Sequence, residues 1–217
     1  MQRLELVHDW LARQFPGRPL SVAPASADAS FRRYFRITFD DGLTRIVMDA
    51  PPEHEDCRPF VHVAGLLHEA GVHAPEILAQ DLERGLLLLT DLGSTTYLDA
   101  LDASNADVLF RDALDALVKW QLASRPDALP PYDEALLRRE LNLFPDWYVA
   151  RHLGSPLTAP QQEVLEQVQA LLLQNILAQP RVFVHRDYMP RNLMVCEHNP
   201  GVLDFQDAVH GPISYDV

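Results

Sequence analysis

Between Val182 and Asp207 the chain reads VFVHRDYMPRNLMVCEHNPGVLDFQD, and this stretch narrows the possible folds more than any other. Its three apolar runs, Val182-Phe183-Val184, Leu193-Met194-Val195 and Gly201-Val202-Leu203, are too short for helices. Turn residues such as His198-Asn199-Pro200-Gly201 bound them, so they are predicted as strands. Each run delivers polar residues at one end: His185, Asp187, Asn192, Asp204 and Asp207. From Asn105 to Leu177 the chain reads as helices, so it must carry a short β insertion after a helical region. That is an α+β architecture.

The spacing of the polar residues is His-x-Asp-x-x-x-x-Asn, with Asp-Phe twelve residues after the Asn. This is the order of a kinase catalytic loop followed by its metal-binding loop. Phosphoryl transfer explains the residue types. A nucleotide's phosphates need Mg²⁺ held by hard oxygens, which an Asn carbonyl and an Asp carboxylate supply. The acceptor hydroxyl needs a carboxylate to orient it and take its proton. Asp187 fits that role, Asn192 and Asp204 fit the metal, and His185 braces the loop. Asp207 touches the metal or braces the site. Single Asp and Asn residues favour turns for local reasons; the ordered set carries the signal.

At 217 residues, with 47% apolar and 23% charged content, the chain has the composition of an ordinary globular protein. A net charge of −13 argues against a nucleic-acid partner. No basic leader or membrane-spanning apolar run is present, which predicts a cytoplasmic location with no membrane partner. Cys57 and Cys196 lie in unrelated contexts and suggest neither a disulfide framework nor a zinc site. Lys119 is the only lysine, within a helical pattern far from any strand.

Leu4, Leu6-Val7, Trp10-Leu11 and Phe15 recur at helical spacing until Pro16-Gly17, predicting a helix over residues 1–15. Strands follow at 31–39 and 44–49, joined at Asp40-Asp41-Gly42. The small-residue stretch Ala25–Ser30 before them is a loop able to close over a phosphate. A helix over 58–70 ends at Gly71, strands follow at 76–80 and 86–90, and Asp91-Leu92-Gly93-Ser94 is a polar link. Helices are predicted from about residue 94, over 106–123, over 133–152 and over 158–177. The second last carries Phe144, Trp147 and Tyr148, a helical-spacing aromatic cluster that favours core over a pocket lining.

The whole chain resembles the aminoglycoside phosphotransferase/choline kinase branch of the protein-kinase-like fold. Ser30–Ile37 (SFRRYFRI) is similar to that family's nucleotide-loop strand, Gly71–Pro75 to the turn after its αC helix, and Leu87–Gly93 to its hinge. HRDYMPRN (His185–Asn192) and LDFQD (Leu203–Asp207) are similar to its catalytic and metal loops. SFRRYFRI, VMDAPPE and HRDYMPRN most resemble bacterial anomeric sugar kinases of cell-wall recycling, which phosphorylate N-acetylmuramate and N-acetylglucosamine at C1 with ATP. The resemblance implies a two-lobe fold, with a β-rich nucleotide lobe over residues 1–92 and a mostly helical lobe over 93–217. It implies ATP and Mg²⁺ as cofactors, an amino-sugar substrate and no obligate protein partner. The hinge backbone at Thr90, Asp91 and Leu92 would hold the adenine.

Two departures stand out. Where kinases carry a phosphate-binding lysine, this chain has Met48-Asp49, and Phe60 falls about where the pairing glutamate would be. Arg32, Arg33 and Arg45 are the candidates to neutralise the phosphates. Second, the sequence stops one residue after Asp216, which matches a loop-bracing family aspartate, where the family continues into further helices. The expectation is a fragment whose helical lobe is incomplete. Arg186 and Arg191 are candidate partners for the carboxylate of N-acetylmuramate.

A protein kinase is disfavoured. Only residues 208–215 separate Asp207 from Asp216, there is no Ala-Pro-Glu signature, and Gln206 replaces the glycine of Asp-Phe-Gly. A non-catalytic nucleotide-binding module is suggested by the missing lysine and opposed by the retained Asp187, Asn192 and Asp204. An aminoglycoside or choline acceptor stays open. A metal hydrolase is weaker, because His54, His62, His68 and His73 lack zinc-ligand spacing.

Overall fold

The computed structural model describes residues 2–27 and 31–217; Asp28–Ser30, the end of the expected phosphate-covering loop, lies outside them. The N-terminal helix α1 spans Gln2–Gln14. A five-stranded antiparallel sheet follows: β1 (Leu20–Ala27), β2 (Arg33–Phe39), β3 (Thr44–Asp49), β4 (Ile77–Asp81) and β5 (Leu86–Thr90), in the order β1-β2-β3-β5-β4. Helix α2 (Arg58–Glu69) lies between β3 and β4 in sequence.

Strict alternation explains why β2 can serve two faces at once. Phe35, Ile37 and Phe39 are buried with Val47, Leu86 and Leu88 against Val7, Trp10 and Leu11 of α1. Each such side chain contributes about 1.5–3 kcal/mol when fully buried. Arg32, Tyr34 and Arg36 therefore belong to the opposite face. Gly42, at φ 82, closes the β2–β3 turn, a left-handed position where a Cβ would be strained. The edge strand β1 was not expected. LSVAPASA holds no strong strand signal, and Pro24 sits beside a register shift at the edge, where a missing N–H is tolerated.

The chain continues through α3 (Tyr97–Ala100), α4 (Ala106–Leu122), α5 (Glu134–Leu143), a π-helix (Phe144–His152) and α6 (Ala159–Leu177). Thr96 caps α3 through a reciprocal pair with Asp99. The single helix expected over 133–152 is divided at Phe144. Pro145 has no N–H to give to an α-helical ladder, and the coil widens, with Leu153 N bonding to Tyr148 O. Phe144, Trp147 and Tyr148 are not core: all three are about half exposed. They lie along the widened helix, where Phe144 stacks on Tyr148 and Tyr148 on His152.

The expected β insertion follows as β6 (Arg181–Val184), a 3₁₀ turn at Pro190–Asn192, β7 (Leu193–Met194), β8 (Gly201–Val202) and an unanticipated β9 (Val209–Pro212). β7 pairs with β8, and β6 with β9.

Two compact units result: Met1–Lys119 with Asp187–Asp207, and Trp120–Arg186 with Ala208–Val217. The hairpin β7–β8 joins the first unit by backbone bonds from Val202 N to His73 O (2.8 Å) and Val195 N to Thr95 O (2.9 Å). The second unit has its own core of Tyr132, Leu137, Leu173, Val184 and Val209. Among the described residues no helix is long and apolar enough to cross a membrane. Both cysteines are free.

Candidate active site

Asp187, Asn192, Asp204 and Asp207 all lie in the first unit, carried on the segment that turns into β7 and leaves β8. The turn 187–192 is held by its own backbone: Met189 N bonds to Asp187 O (2.9 Å) and Asn192 N to Met189 O (2.8 Å). Tyr188 anchors it to α4, its hydroxyl donating to Ala113 O at 2.6 Å.

Asn192 is the joint between the two loops. Its Nδ2 donates to Asp187 O at 2.9 Å and approaches Asp204 Oδ2 at 3.4 Å. Its backbone oxygen accepts from Leu203 N at 2.9 Å. With the amide nitrogen so committed, the side-chain carbonyl is the acceptor left on offer. Asp204 sits at φ 61, a left-handed conformation that aspartate tolerates better than most residues. Phe205 behind it is fully buried and packs on Phe60 of α2, ring centroids 4.7 Å apart. Gln206 Nε2 donates to Asp204 Oδ1 (2.9 Å) and to Asp207 Oδ2 (3.2 Å). Its Oε1 is buried with no hydrogen-bond partner among the described residues.

The three candidate cations separate by face. Arg33 faces α1 and, with Arg3, ion-pairs the fully buried Asp49. Arg45 is two residues from Val47 on the same face, and its Nη1 bonds to Thr44 O at 2.8 Å. Arg32 alone of the three stands beside the metal loop, its Nη2 3.8 Å from Asp204 Oδ1. Met48, on the face away from α1, is fully buried. With Phe60 and Phe205 it puts apolar groups where the resemblance would place a lysine–glutamate pair.

At the expected hinge, the backbone of Asp91 and Leu92 makes no backbone hydrogen bond among the described residues, whereas Thr90 N is taken by Glu76 O (3.0 Å). The Asp91 side chain is occupied. Arg36 Nε meets its Oδ2 at 2.6 Å and Arg36 Nη2 its Oδ1 at 3.0 Å. Burial opposes ionisation of Asp91, but bonds from Arg36, Gly93 and Thr44 outweigh it and hold the carboxyl below its ordinary value. Arg36 was not singled out from the sequence. The signal available was its place in RYFRITF, out of phase with the buried Phe35 and Ile37.

In the second unit, His185 is buried. Its backbone N donates to Asp216 Oδ2 at 2.6 Å, and the next amide, Arg186 N, to Asp216 Oδ1 at 2.9 Å. Asp216 thereby holds Arg186 at φ 78, a conformation unfavourable for a bulky residue. The Arg186 guanidinium is paired with Glu140 at 2.5 Å, and Arg191 is exposed in the first unit.

The model of a family described as "Phosphotransferase enzyme family" matches residues 21–217. The N-acetylmuramate/N-acetylglucosamine kinase of Pseudomonas aeruginosa is 63% identical over 199 residues, 92% of this chain and 59% of that protein. The enzyme of the same name from Pseudomonas putida is 59% identical over 197 residues, 91% of this chain and 58% of that protein. The chain thus spans a little under three fifths of the length of these curated relatives. Among solved structures, ADP-bound aminoglycoside phosphotransferase APH(2'')-Ib superposes with a TM-score of 0.65 at 14% identity, covering 97% of this chain and 73% of that one. At that identity the likeness establishes the fold.

Proposed function

The chain belongs to the phosphotransferase enzyme family, and from that premise we propose that it is an ATP-dependent kinase of a small hydroxyl compound. The acceptor we assign is the anomeric C1 hydroxyl of N-acetylmuramate and N-acetylglucosamine, by analogy with the named activity of its relatives. The reaction places the protein in amino-sugar recycling in the cytoplasm. The nucleotide lobe is residues 1–92 and the helical lobe 93–217.

The observation that carries this reading is Asn192, bonded at once to the Asp187 carbonyl and close to the Asp204 carboxylate. One side chain fixes the distance between a base and a metal ligand, which a phosphoryl-transfer site requires. The Asp187 carboxylate orients the sugar hydroxyl and takes its proton as the new P–O bond forms and the bond from the γ-phosphorus to the ADP leaving group breaks. Arg32, beside Asp204, binds phosphate oxygens in place of the missing lysine. The main-chain groups of Asp91 and Leu92 pair with the edge of the adenine.

The donor set suits Mg²⁺. Asn192 and Asp204 supply hard oxygens, and the unpartnered Gln206 Oε1 lies next to them. Among the described residues no three His, Cys, Asp or Glu side chains form a metal cage, so phosphate oxygens and water would complete the shell. When bound, the ion neutralises charge on the phosphates. Arg186 is committed to Glu140, which leaves Arg191 as the better partner for the N-acetylmuramate carboxylate.

The buried Met48 favours a second reading, a nucleotide-binding module without turnover. ATP consumption by the protein with N-acetylmuramate, N-acetylglucosamine, choline and an aminoglycoside separates the two. Turnover with the amino sugars, lost about 10²–10⁴-fold in Asp187→Asn while ATP still binds, is expected. An Asp187→Asn protein as active as wild type would falsify the role of Asp187.

A further inference from the structure

Arg36 is the residue that ties the sheet to the polar link after β5. Neighbouring strands lie about 4.8 Å apart, so from β2 its side chain crosses β3 to reach a segment roughly 10 Å away. There it makes three bonds: Nε to Asp91 Oδ2 (2.6 Å), Nη2 to Asp91 Oδ1 (3.0 Å) and Nη2 to Gly93 O (2.7 Å). Asp91 Oδ1 in turn accepts from Gly93 N at 3.0 Å. The carboxylate is almost wholly buried, at 5% exposure, while the guanidinium keeps 28%.

These bonds close a ring through residues 91–93. Both ends of the Asp91–Gly93 turn are fixed to one guanidinium, and Gly93 adopts φ 97, a conformation open to glycine and costly for other residues. Inside that ring lie the main-chain groups of Asp91 and Leu92, which have no backbone partners among the described residues. Their direction in space is therefore set by the latch rather than by secondary structure.

We propose that the Arg36–Asp91–Gly93 latch positions the main chain of Asp91 and Leu92 for a purine edge, making Arg36 a positioning residue for nucleotide affinity and base selectivity. The inference rests on the kinase reading above. Bidentate geometry matters here, because a lysine at position 36 gathers its donors on one nitrogen and lacks the planar fork that holds both carboxylate oxygens and a carbonyl in fixed directions.

The test uses the 217-residue protein with Arg36→Ala, Arg36→Lys and Asp91→Asn. Two quantities are read: equilibrium binding of ATP and GTP, and amide hydrogen exchange across residues 90–94. If the released turn occupies the competent shape about one tenth of the time, the ATP Kd of Arg36→Ala rises about tenfold. The preference for ATP over GTP narrows, Arg36→Lys recovers part of the loss, and exchange at 91–93 accelerates in proportion. Arg36→Ala and Asp91→Asn should be non-additive, since both open the same ring. A purely structural role would lower the melting temperature while leaving ATP Kd and base preference alone, and that result overturns the proposal. Wild type that binds no nucleotide overturns the kinase reading and the inference with it, while the exchange data still report whether the latch exists.

Discussion

Asp91 makes the residue-scale argument measurable by pH. Its carboxyl is held below 3.8, the ordinary value, so the folded state binds its proton less readily than the unfolded chain. The stability this group contributes is complete above about pH 4, and it is lost as pH falls through the depressed folded value. Urea unfolding of wild type and Asp91→Asn should therefore differ most near neutrality and converge progressively as pH falls below about 4. A gap that stays constant across that range would remove Arg36 as the cause. The same scale marks what could be read from the chain alone. The clustering of Asp187, Asn192 and Asp204 was legible because their spacing is local, and a turn and two short strands bring them together. The sorting of Arg32, Arg33 and Arg45 was not, because it depends on which sheet face α1 covers. Arg36 was missed for a related reason: its partner lies 55 residues away, and nothing local announces it.

Elements show the same division. Helices α1, α2, α4 and α6 and the hairpin β2–β3 follow from apolar periodicity and caps. β1 and β9 owe their existence to pairing with β2 and β6, a long-range effect that strand propensity does not capture. The π-helix arises from one proline. The join between α1 and the sheet carries a further prediction. Asp49 has no exposure and is held by Arg3 and Arg33, while Arg3 also donates to Arg84 O at 2.9 Å. Replacing both arginines with methionine leaves a buried carboxylate unpaired and should cost about 3–5 kcal/mol in urea unfolding. Replacing all three residues, with Asp49→Leu added, should return the protein to within about 1–2 kcal/mol of wild type. Because Asp49 faces α1, the triple variant should bind ATP as wild type does. A large loss of ATP affinity would place Asp49 in the nucleotide site instead.

At the scale of the molecule, the segment bearing the proposed base and metal ligands is separated in sequence from the unit it joins. Residues 120–186 intervene and form a unit of their own with 208–217. A protein cut after Lys119 retains the whole sheet, yet it lacks Phe205 against Phe60 and the donors that satisfy His73 O, Thr95 O and Ala113 O. It should lose the cooperative urea transition of the intact chain, as followed by near-ultraviolet circular dichroism. An undiminished transition would mean that the segment docks on a finished unit rather than completing it. This insertion also bears on biosynthesis. The ribosome emits Lys119 nearly ninety residues before Asp207, a delay of roughly 4–18 s at ordinary elongation rates. Throughout that interval the nascent unit leaves open the site at His73 and Thr95 where β7–β8 will dock, and chaperone occupancy should peak there.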